Sequence, residues 1–226
     1  MPGQPSSTRP LHHVGWWACL VLILLSAASC GGSDSFHGTT LDSSDIAPPF
    51  ELRDQFGDAV ALSDMAGKVV VLTFLYTSCP DVCPLTTETL RRTHILLGDD
   101  ASRVRMVAIS VDPQRDSMER IYEYSDDTDM LDKWHFLVGN EEELERVWTA
   151  YWLDPIEGDR AHDDLGEEVV AAGVLDTDGE SAPQGYLVSH TAPVFLIDRE
   201  GYRRVVFTSL SLDPQPLVHD IRLLLQ

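Results

Sequence analysis

The fold is decided by residues 69–97, which read VVVLTFLYTSCPDVCPLTTETLRRTHILL. The run Val69 to Leu75 is almost continuously apolar, as expected of a central parallel strand buried on both faces. A helical pattern follows at Leu85 to Leu97. Cys79 and Cys83 fall in the turn between them, and a spacing of four residues places side chains on one face of a helix. The start of a helix exposes unpaired N–H groups and the positive end of its dipole, which favour thiolate over thiol.

The number and placement of the cysteines indicate that this pair has a chemical rather than a structural role. Of the four cysteines, Cys19 and Cys30 belong to the N-terminal segment, so Cys79 and Cys83 remain as a pair for the folded domain. A disulfide that closes a loop of about five residues would constrain the unfolded chain little. Two clustered thiols therefore indicate a soft metal site, a redox pair, or both.

The N-terminus has the pattern of an export signal. Arg9 precedes an apolar run, Val14 to Ser29, whose last residues are small. Cys30 follows directly, which resembles a bacterial lipobox, so we predict a lipoprotein signal peptide at 1–29 and lipidation of Cys30. The alternative is an uncleaved signal anchor, although the apolar run is shorter than the roughly 20 residues that span a bilayer. Either way the domain is expected on the outer side of the cytoplasmic membrane, facing the periplasm or the cell exterior.

The chain is strongly acidic, with 16 Lys and Arg against 37 Asp and Glu and a net charge of −21 over 226 residues. Such a surface repels phosphate backbones and anionic headgroups, so nucleic acid is excluded as a partner. The lipid on Cys30, rather than a basic surface, is the expected contact with the membrane.

Composition divides the rest of the chain into a tether, 30–47, rich in Gly, Ser, Asp and Thr, and a domain, 48–226. Periodicity and capping signals predict the elements of the domain. They are a hairpin at Pro48 to Leu62, strands at Val69 to Leu75, Val104 to Val111 and Trp134 to Gly139, helices at Leu85 to Leu97, Asp116 to Tyr124 and Asn140 to Trp152, a hairpin at Thr191 to Phe207, and a helix at Pro216 to Leu225.

Strands that alternate with helices predict an α/β fold with a right-handed β-α-β core. The final hairpin makes the central sheet mixed, and cysteines between the first core strand and its helix suit a thioredoxin-like layout with an added N-terminal β-hairpin. The long acidic stretch Asp154 to Ser189 is expected to be a surface excursion.

His190 is the candidate third ligand, because it lies at the entry to a strand that runs beside the cysteine turn in such a layout. A loop histidine of this kind is also often only hydrogen-bonded or exposed. Pro193 lies near the position where thioredoxin-like oxidoreductases keep a cis-proline, and it is equally compatible with an ordinary proline at the edge of a sheet.

Three motifs together resemble the Sco/SenC family. They are Cys79-Pro-Asp-Val-Cys83-Pro, the run Ile109 to Asp116, and His190 placed eight residues before Asp198-Arg-Glu-Gly. The resemblance extends from Pro48 to Leu225 and implies a membrane-tethered, thioredoxin-like copper protein whose ligands are Cys79, Cys83 and His190. Thiolates suit Cu(I), and an added imidazole supports Cu(II). Zinc is the chemical competitor, but structural zinc normally takes four protein ligands.

The resemblance further implies a copper chaperone, rather than an enzyme, that delivers copper to the dinuclear copper centre of cytochrome c oxidase subunit II. A rival function is a thiol–disulfide oxidoreductase, with Cys79 and Cys83 as its redox pair, that keeps the cysteines of that centre reduced. The Cys-x-x-x-Cys spacing differs from the Cys-x-x-Cys of dedicated oxidoreductases. A thiol peroxidase, or a copper sensor without a delivery role, is also compatible with the cysteine motif.

Overall fold

The computed structural model describes residues 35–42, 44–153 and 192–226. The predicted signal peptide, Cys30, the stretch Asp154 to Ser189, and His190 lie outside the described residues. Within the described residues the strands are β1 (Thr39–Thr40), β2 (Glu51–Arg53), β3 (Ala59–Ala61), β4 (Val69–Leu75), β5 (Val104–Ser110), β6 (Trp134–Leu137), β7 (Val194–Ile197) and β8 (Arg203–Phe207). The α-helices are α1 (Val82–Leu97), α2 (Met118–Asp127), α3 (Glu141–Ala150) and α4 (Gln215–Leu224), and short 3₁₀ helices cover Leu62–Met65 and Gly98–Arg103.

Six of these strands form one sheet in the order β1-β8-β7-β4-β5-β6. β4 and β5 are parallel, as are β5 and β6, whereas β7 runs antiparallel to β4 and pairs with β8 as a hairpin. The predicted mixed sheet of a thioredoxin-like α/β fold is therefore confirmed.

β4 lies at the centre of the sheet and of the core. Each of its seven residues is buried, as its apolar sequence predicted. β7 beside it is also buried along its whole length. Aromatic rings fill the space next to these strands, where Phe74 lies 5.6 Å from Tyr151 and 6.4 Å from Phe195, measured between ring centroids. The strand that leads into the cysteine turn is thus held rigidly on both faces.

The predicted N-terminal hairpin is confirmed as β2 and β3, which pair antiparallel. Its turn is organised by Asp54, whose carboxylate accepts the N–H groups of Phe56 and Asp58, each at 3.0 Å. Gly57 has a φ of 85°, a conformation that glycine adopts without strain.

Two helices begin two or three residues away from their predicted starts, for reasons that concern the site. α1 begins at Val82 rather than Leu85, because the first turn includes Cys83, whose N–H donates to the sulfur of Cys79 at 3.4 Å. α2 begins at Met118 rather than Asp116, because Ser117 caps it by accepting the N–H of Arg120. The side chain of Asp116 does not cap this helix and instead binds Thr77 and Ser110.

The packed unit extends upstream of Pro48, to Phe36. Residues 39–40, within the stretch that composition assigns to a tether, form β1 and pair with β8. Phe36 and Leu41 pack against the core. These residues are held in place by the pairing of β1 with β8 and by two apolar side chains. A composition rich in Gly and Ser does not predict either contact. Among the described residues, no helix combines the length and apolarity needed to cross a bilayer.

Candidate metal centre

The centre lies where the carboxyl ends of β4 and β5 meet. β4 ends at Leu75 and delivers the loop with Cys79, while β5 ends beside it at Ser110. Parallel neighbours end at the same edge of a sheet, which is where α/β folds usually place their ligands. The N–H of Val111 bonds the carbonyl of Leu75 at 3.0 Å and holds the two strand ends together.

The two cysteines are free thiols in direct contact. The N–H of Cys83, in the first turn of α1, donates to the sulfur of Cys79 at 3.4 Å, and the two side chains also share a hydrogen bond. Cys79 therefore takes the place of a helix N-cap and satisfies a helix N–H that would otherwise lack a partner. Cys83 is fully buried, whereas Cys79 keeps 8% of its surface exposed. The pair has an outer and an inner sulfur.

The surroundings of Cys79 favour its thiolate. The hydrogen bond from the Cys83 side chain is the largest cause, and the N–H groups of Asp81 and Cys83 and the side chain of Tyr76 add to it, so that the pKa of Cys79 falls to about 5 despite the opposing effect of burial. Hydrogen bonds to the charged form of an acid lower its pKa in this way. The positive end of the dipole of α1 acts in the same direction.

Cys83 is shifted in the opposite sense. Its hydrogen bond to Cys79, and then its burial, raise its pKa above the ordinary value, because a second anion next to the first is unfavourable. These shifts predict that the metal-free pair carries one negative charge at neutral pH, with Cys83 as the protonated partner. Binding a soft metal would displace that proton, since the thiolate is the metal ligand.

Tyr76 contacts both sulfurs. Its side chain hydrogen-bonds to Cys79, and its main chain hydrogen-bonds to Cys83. Burial, and next the charge of Cys79, raise the pKa of Tyr76, so the phenol stays protonated and donates to the thiolate. The guanidinium of Arg115 lies 5.5 Å from the centre of the Tyr76 ring and forms an ion pair with the buried carboxylate of Asp112.

Asp116 holds the cysteine loop to the end of β5. One carboxylate oxygen accepts the N–H of Thr77 at 3.0 Å and its hydroxyl at 2.7 Å, and the other accepts the hydroxyl of Ser110 at 2.6 Å. Asp116 is 3% exposed, and burial raises its pKa from 3.8 although these hydrogen bonds oppose the shift. Thr77 precedes Cys79 by two residues, so this carboxylate holds the backbone just before the outer sulfur.

The beginning of β7 lies at the same edge as the cysteines. Val194 pairs with Thr73 of β4, and the hydroxyl of Thr73 donates to the carbonyl of Pro193 at 3.1 Å. The peptide bonds between described residues are all trans, including the one before Pro193. His190, the predicted third ligand, precedes Ala192 by two residues and lies outside the described residues, so its role stays a prediction, as does lipidation of Cys30.

Sequence reasoning finds the cysteines and misses three of their neighbours. From the sequence alone, Tyr76 is only the residue type that precedes the cysteine motif, Asp116 is predicted only to start a helix, and no role is predicted for Arg115. A signal is nevertheless present, because all three lie within or beside the motifs that carry the resemblance. What the sequence lacks is the pairing of β4 with β5, which brings the two motifs together.

Fold and site define a class, namely a thioredoxin-like domain with a closely spaced dithiol at the carboxyl edge of its sheet. The SCO1/SenC family model matches residues 38–226. The chain belongs to this family.

Individual relatives agree. The SCO2-like protein of Rickettsia prowazekii is 28% identical over 188 residues, which are 83% of this chain and 81% of that protein. The copper-bound structure of ScoI from Bradyrhizobium japonicum is 30% identical with a TM-score of 0.56, over 78% of this chain and 98% of that one. The structure of BsSco, which concerns a disulfide switch in a member of the Sco family of cytochrome c oxidase assembly proteins, has the same fold, with 20% identity and a TM-score of 0.58 over 82% of this chain and 97% of that one.

The asymmetry of the pair predicts a pH profile. In reduced, metal-free protein we expect the rate at which iodoacetamide alkylates Cys79 to stay at its plateau as the pH is lowered and to reach half of it only near pH 5. The reason is that the Cys79 thiolate persists to that pH. Cys83 should stay unmodified at neutral pH. Peptide mass spectrometry separates the two sites, and Cys79→Ala serves as the control that removes the fast reaction. A rate for Cys79 that still climbs between pH 8 and 9, as for an ordinary thiol of pKa about 8.5, would contradict this assignment.

Proposed function

We propose that this protein is a copper chaperone that binds copper through Cys79, Cys83 and His190 and delivers it to the dinuclear copper centre of cytochrome c oxidase subunit II. The observation that carries the proposal is the contact between an ionised outer sulfur and a buried inner sulfur at the carboxyl edge of the sheet. Membership of a family with copper-bound members, described as oxidase assembly proteins, supports both the metal and the pathway.

The donor set fits copper. Two thiolates in contact suit Cu(I), which prefers soft ligands and low coordination numbers, and an imidazole extends the set to Cu(II). The competing metal, zinc, normally closes a structural site with four protein ligands. Tyr76 and the N–H groups at the start of α1 stabilise the negative charge of Cys79 before the metal arrives.

Covalent reach supports His190 as the third ligand. Ala192 is 2% exposed, directly before the proline whose carbonyl binds Thr73. Two residues of chain span at most about 7 Å. A chain of this length can therefore bring His190 to the edge of the sheet that carries the cysteines, which is the reach that the proposal requires.

We expect His190→Ala to weaken Cu(II) binding more than Cu(I) binding, because the two sulfurs alone satisfy a soft ion of low coordination number. Competition titrations with a chelator for each oxidation state measure the two affinities. His94→Ala, a change on the helix that follows the cysteine turn, is the control. No loss for either oxidation state would remove His190 from the ligand set, and equal losses would contradict its preference for Cu(II).

The exposure of the two sulfurs sets an order of transfer. Cys79 is the outer sulfur and Cys83 is fully buried. A thiolate of the acceptor is therefore expected to displace Cys79 first, and a second acceptor thiolate then displaces Cys83, which recovers its proton. Both cysteines must be reduced beforehand, because a disulfide supplies no thiolate.

Lipidation of Cys30 after export completes the proposal, because it would hold the domain at the outer face of the membrane that contains the acceptor. Mass spectrometry of the purified protein, compared with Cys30→Ser, tests this part. A wild-type mass that corresponds to a chain beginning at Cys30 with a diacylglyceryl group supports this part. The mass of the uncleaved chain of 226 residues contradicts it.

Transfer itself tests the delivery role. Copper-loaded protein is mixed with the metal-free copper domain of subunit II, and the visible spectrum of the dinuclear centre is followed over time. We expect the spectrum to develop with copper-loaded wild type and not with metal-free protein plus a reductant. If free copper gives the same rate without this protein, or together with its Cys79→Ala variant, delivery by this protein is refuted.

One observation favours a second candidate, a thiol–disulfide oxidoreductase that reduces the cysteines of the acceptor. A low-pKa thiol in contact with a second thiol is the arrangement of a nucleophilic and a resolving cysteine. Thiolate Cys79 would attack a disulfide of the acceptor, and Cys83 would then form the Cys79–Cys83 disulfide and release the acceptor as a dithiol. Reduction of insulin by metal-free protein, at a rate similar to that of thioredoxin, would favour this function over delivery.

A further inference from the structure

A second cluster of metal-ligating side chains lies outside the cysteine site. It consists of His37, at the start of the packed unit, and His219 and Asp220 on α4. One ligand atom from each residue lies within 4.8 Å of the others. The two imidazole rings meet edge to face, with their centroids 4.6 Å apart. Neither histidine has a part in the function proposed above.

Asp220 builds this cluster. It is fully buried, and its carboxylate accepts the N–H of His37 at 2.9 and 3.0 Å and the N–H of Gly38 at 2.9 Å. A buried carboxylate is costly unless it is well hydrogen-bonded, so these contacts fix the N-terminal segment on α4. The pairing of β1 with β8 fixes the residues that follow. The backbone of His37 is therefore held in place while its side chain is exposed.

The same carboxylate holds the imidazole of His219. Its Nδ1 lies 3.0 Å from Oδ1 of Asp220. A neutral imidazole that donates from Nδ1 keeps the lone pair of Nε2 free. This arrangement, a carboxylate that binds one nitrogen of a histidine whose other nitrogen is a ligand, recurs in metal sites because it fixes the tautomer and increases ligand basicity.

We propose that His37 and His219, oriented by Asp220, form a second metal site that takes a borderline divalent ion, with Cu²⁺ preferred. Imidazole and carboxylate donors suit Cu²⁺, Ni²⁺ and Zn²⁺, and Cu²⁺ binds most tightly to such ligands. A shared ion with bonds of about 2.0–2.1 Å brings its ligand nitrogens to within roughly 4 Å of each other. The ligand atoms of the cluster now lie within 4.8 Å of one another, so binding requires the exposed His37 ring to rotate toward Nε2 of His219, and water would complete the coordination. This proposal stands without the cysteine site.

The fold provides a matched comparison in His135. Its Nδ1 lies 3.0 Å from the buried carboxylate of Asp54, and its side chain is 36% exposed, against 37% for His219. Among the described residues, the His219–Asp220 pair has a second histidine, His37, within reach of a shared metal ion, whereas the His135–Asp54 pair has none. His135→Ala therefore removes a histidine paired with aspartate without touching the proposed site.

The test uses the full-length protein with Cys79→Ser, Cys83→Ser and His190→Ala, which removes the first site. Its affinity for Cu²⁺ is measured by isothermal titration, and the bound ion is examined by electron paramagnetic resonance. We expect a signal with nitrogen hyperfine coupling, and a dissociation constant raised about tenfold or more by His37→Ala or His219→Ala. His135→Ala should leave both unchanged, and Zn²⁺ should compete only at higher concentration.

Two results would overturn the proposal. The first is a Cu²⁺ affinity and spectrum that neither His37→Ala nor His219→Ala alters. The second is an equal loss of affinity with His135→Ala, which would indicate nonspecific binding to surface histidines. His37→Ala keeps the backbone N–H that Asp220 binds, so it preserves the fold even if His219→Ala does not. Circular dichroism of each variant verifies this.

Discussion

We expect Cys79→Ala and Cys83→Ala each to abolish stoichiometric Cu(I) binding. A single thiolate cannot hold Cu(I) against competing thiols, whereas the pair binds it as a chelate that is already assembled by the N–H of Cys83 and the hydroxyl of Tyr76. Copper is loaded anaerobically with glutathione present, free metal is removed by gel filtration, and the copper retained per protein is measured. The expected loss is from stoichiometric copper to background.

The control for this experiment comes from the same loop. Ser78 is exposed and adjacent to Cys79, so Ser78→Ala perturbs the loop without removing a sulfur. We expect it to retain copper. Unchanged copper in both cysteine variants would refute the metal site. Unchanged copper in only one would show that the remaining sulfur binds with a different partner.

Unfolding does not account for the expected loss. Cys83 is fully buried, but its conversion to alanine removes only one sulfur atom from the core, which costs about 1 kcal/mol of the free energy of unfolding. Cys79→Ala also removes the cap on the N–H of Cys83, a cost of about 1 kcal/mol. Both lie well below the stability of an ordinary domain. Thermal unfolding of each metal-free variant verifies that the fold persists.

Most of the fold could be predicted because the relevant signals are local. The continuous apolar run of β4, the Asn140 cap of α3 and the turn around Gly57 each report their own structure. The cap predicted at Asn140 is confirmed by the N–H of Glu143, which lies 2.9 Å from the Asn140 side chain. Signals of this kind depend on neighbours within a few residues, and a sequence displays them directly.

The features that could not be predicted depend on distant partners. β1 has two residues and no apolar alternation, and it exists because β8 offers a free edge. Asp116 carries the ordinary signal of a helix start, and only the pairing of β4 with β5 directs it to Thr77 and Ser110. The sequence therefore predicts the site as a pair of sulfurs, and the groups that tune and hold those sulfurs emerge only in three dimensions.

Asp116 provides a second test, through the pH dependence of stability. Because burial raises its pKa above 3.8, the stability that it contributes is fully present below that pH and is lost as the pH rises through the elevated pKa of the folded state. Asp116→Asn imitates the neutral carboxyl group and keeps partners for Thr77 and Ser110. We expect the stability of this variant not to fall as the pH rises through that range. At pH 7 it should unfold at the same temperature as the wild type or at a higher one.

Asp116→Ala should weaken both the fold and the copper site. It removes the acceptor for the N–H and hydroxyl of Thr77 and for the hydroxyl of Ser110, which should cost about 2–4 kcal/mol of the free energy of unfolding because buried donors lose a charged partner. The loop that carries Cys79 is then no longer tied to β5, and we expect copper affinity to fall about 10- to 100-fold, as when a group that orients a metal ligand is removed. Urea titration and chelator competition measure the two effects, with Asp116→Asn as the matched control. Full copper affinity in the destabilised Ala variant would show that Asp116 stabilises the fold without positioning the cysteines.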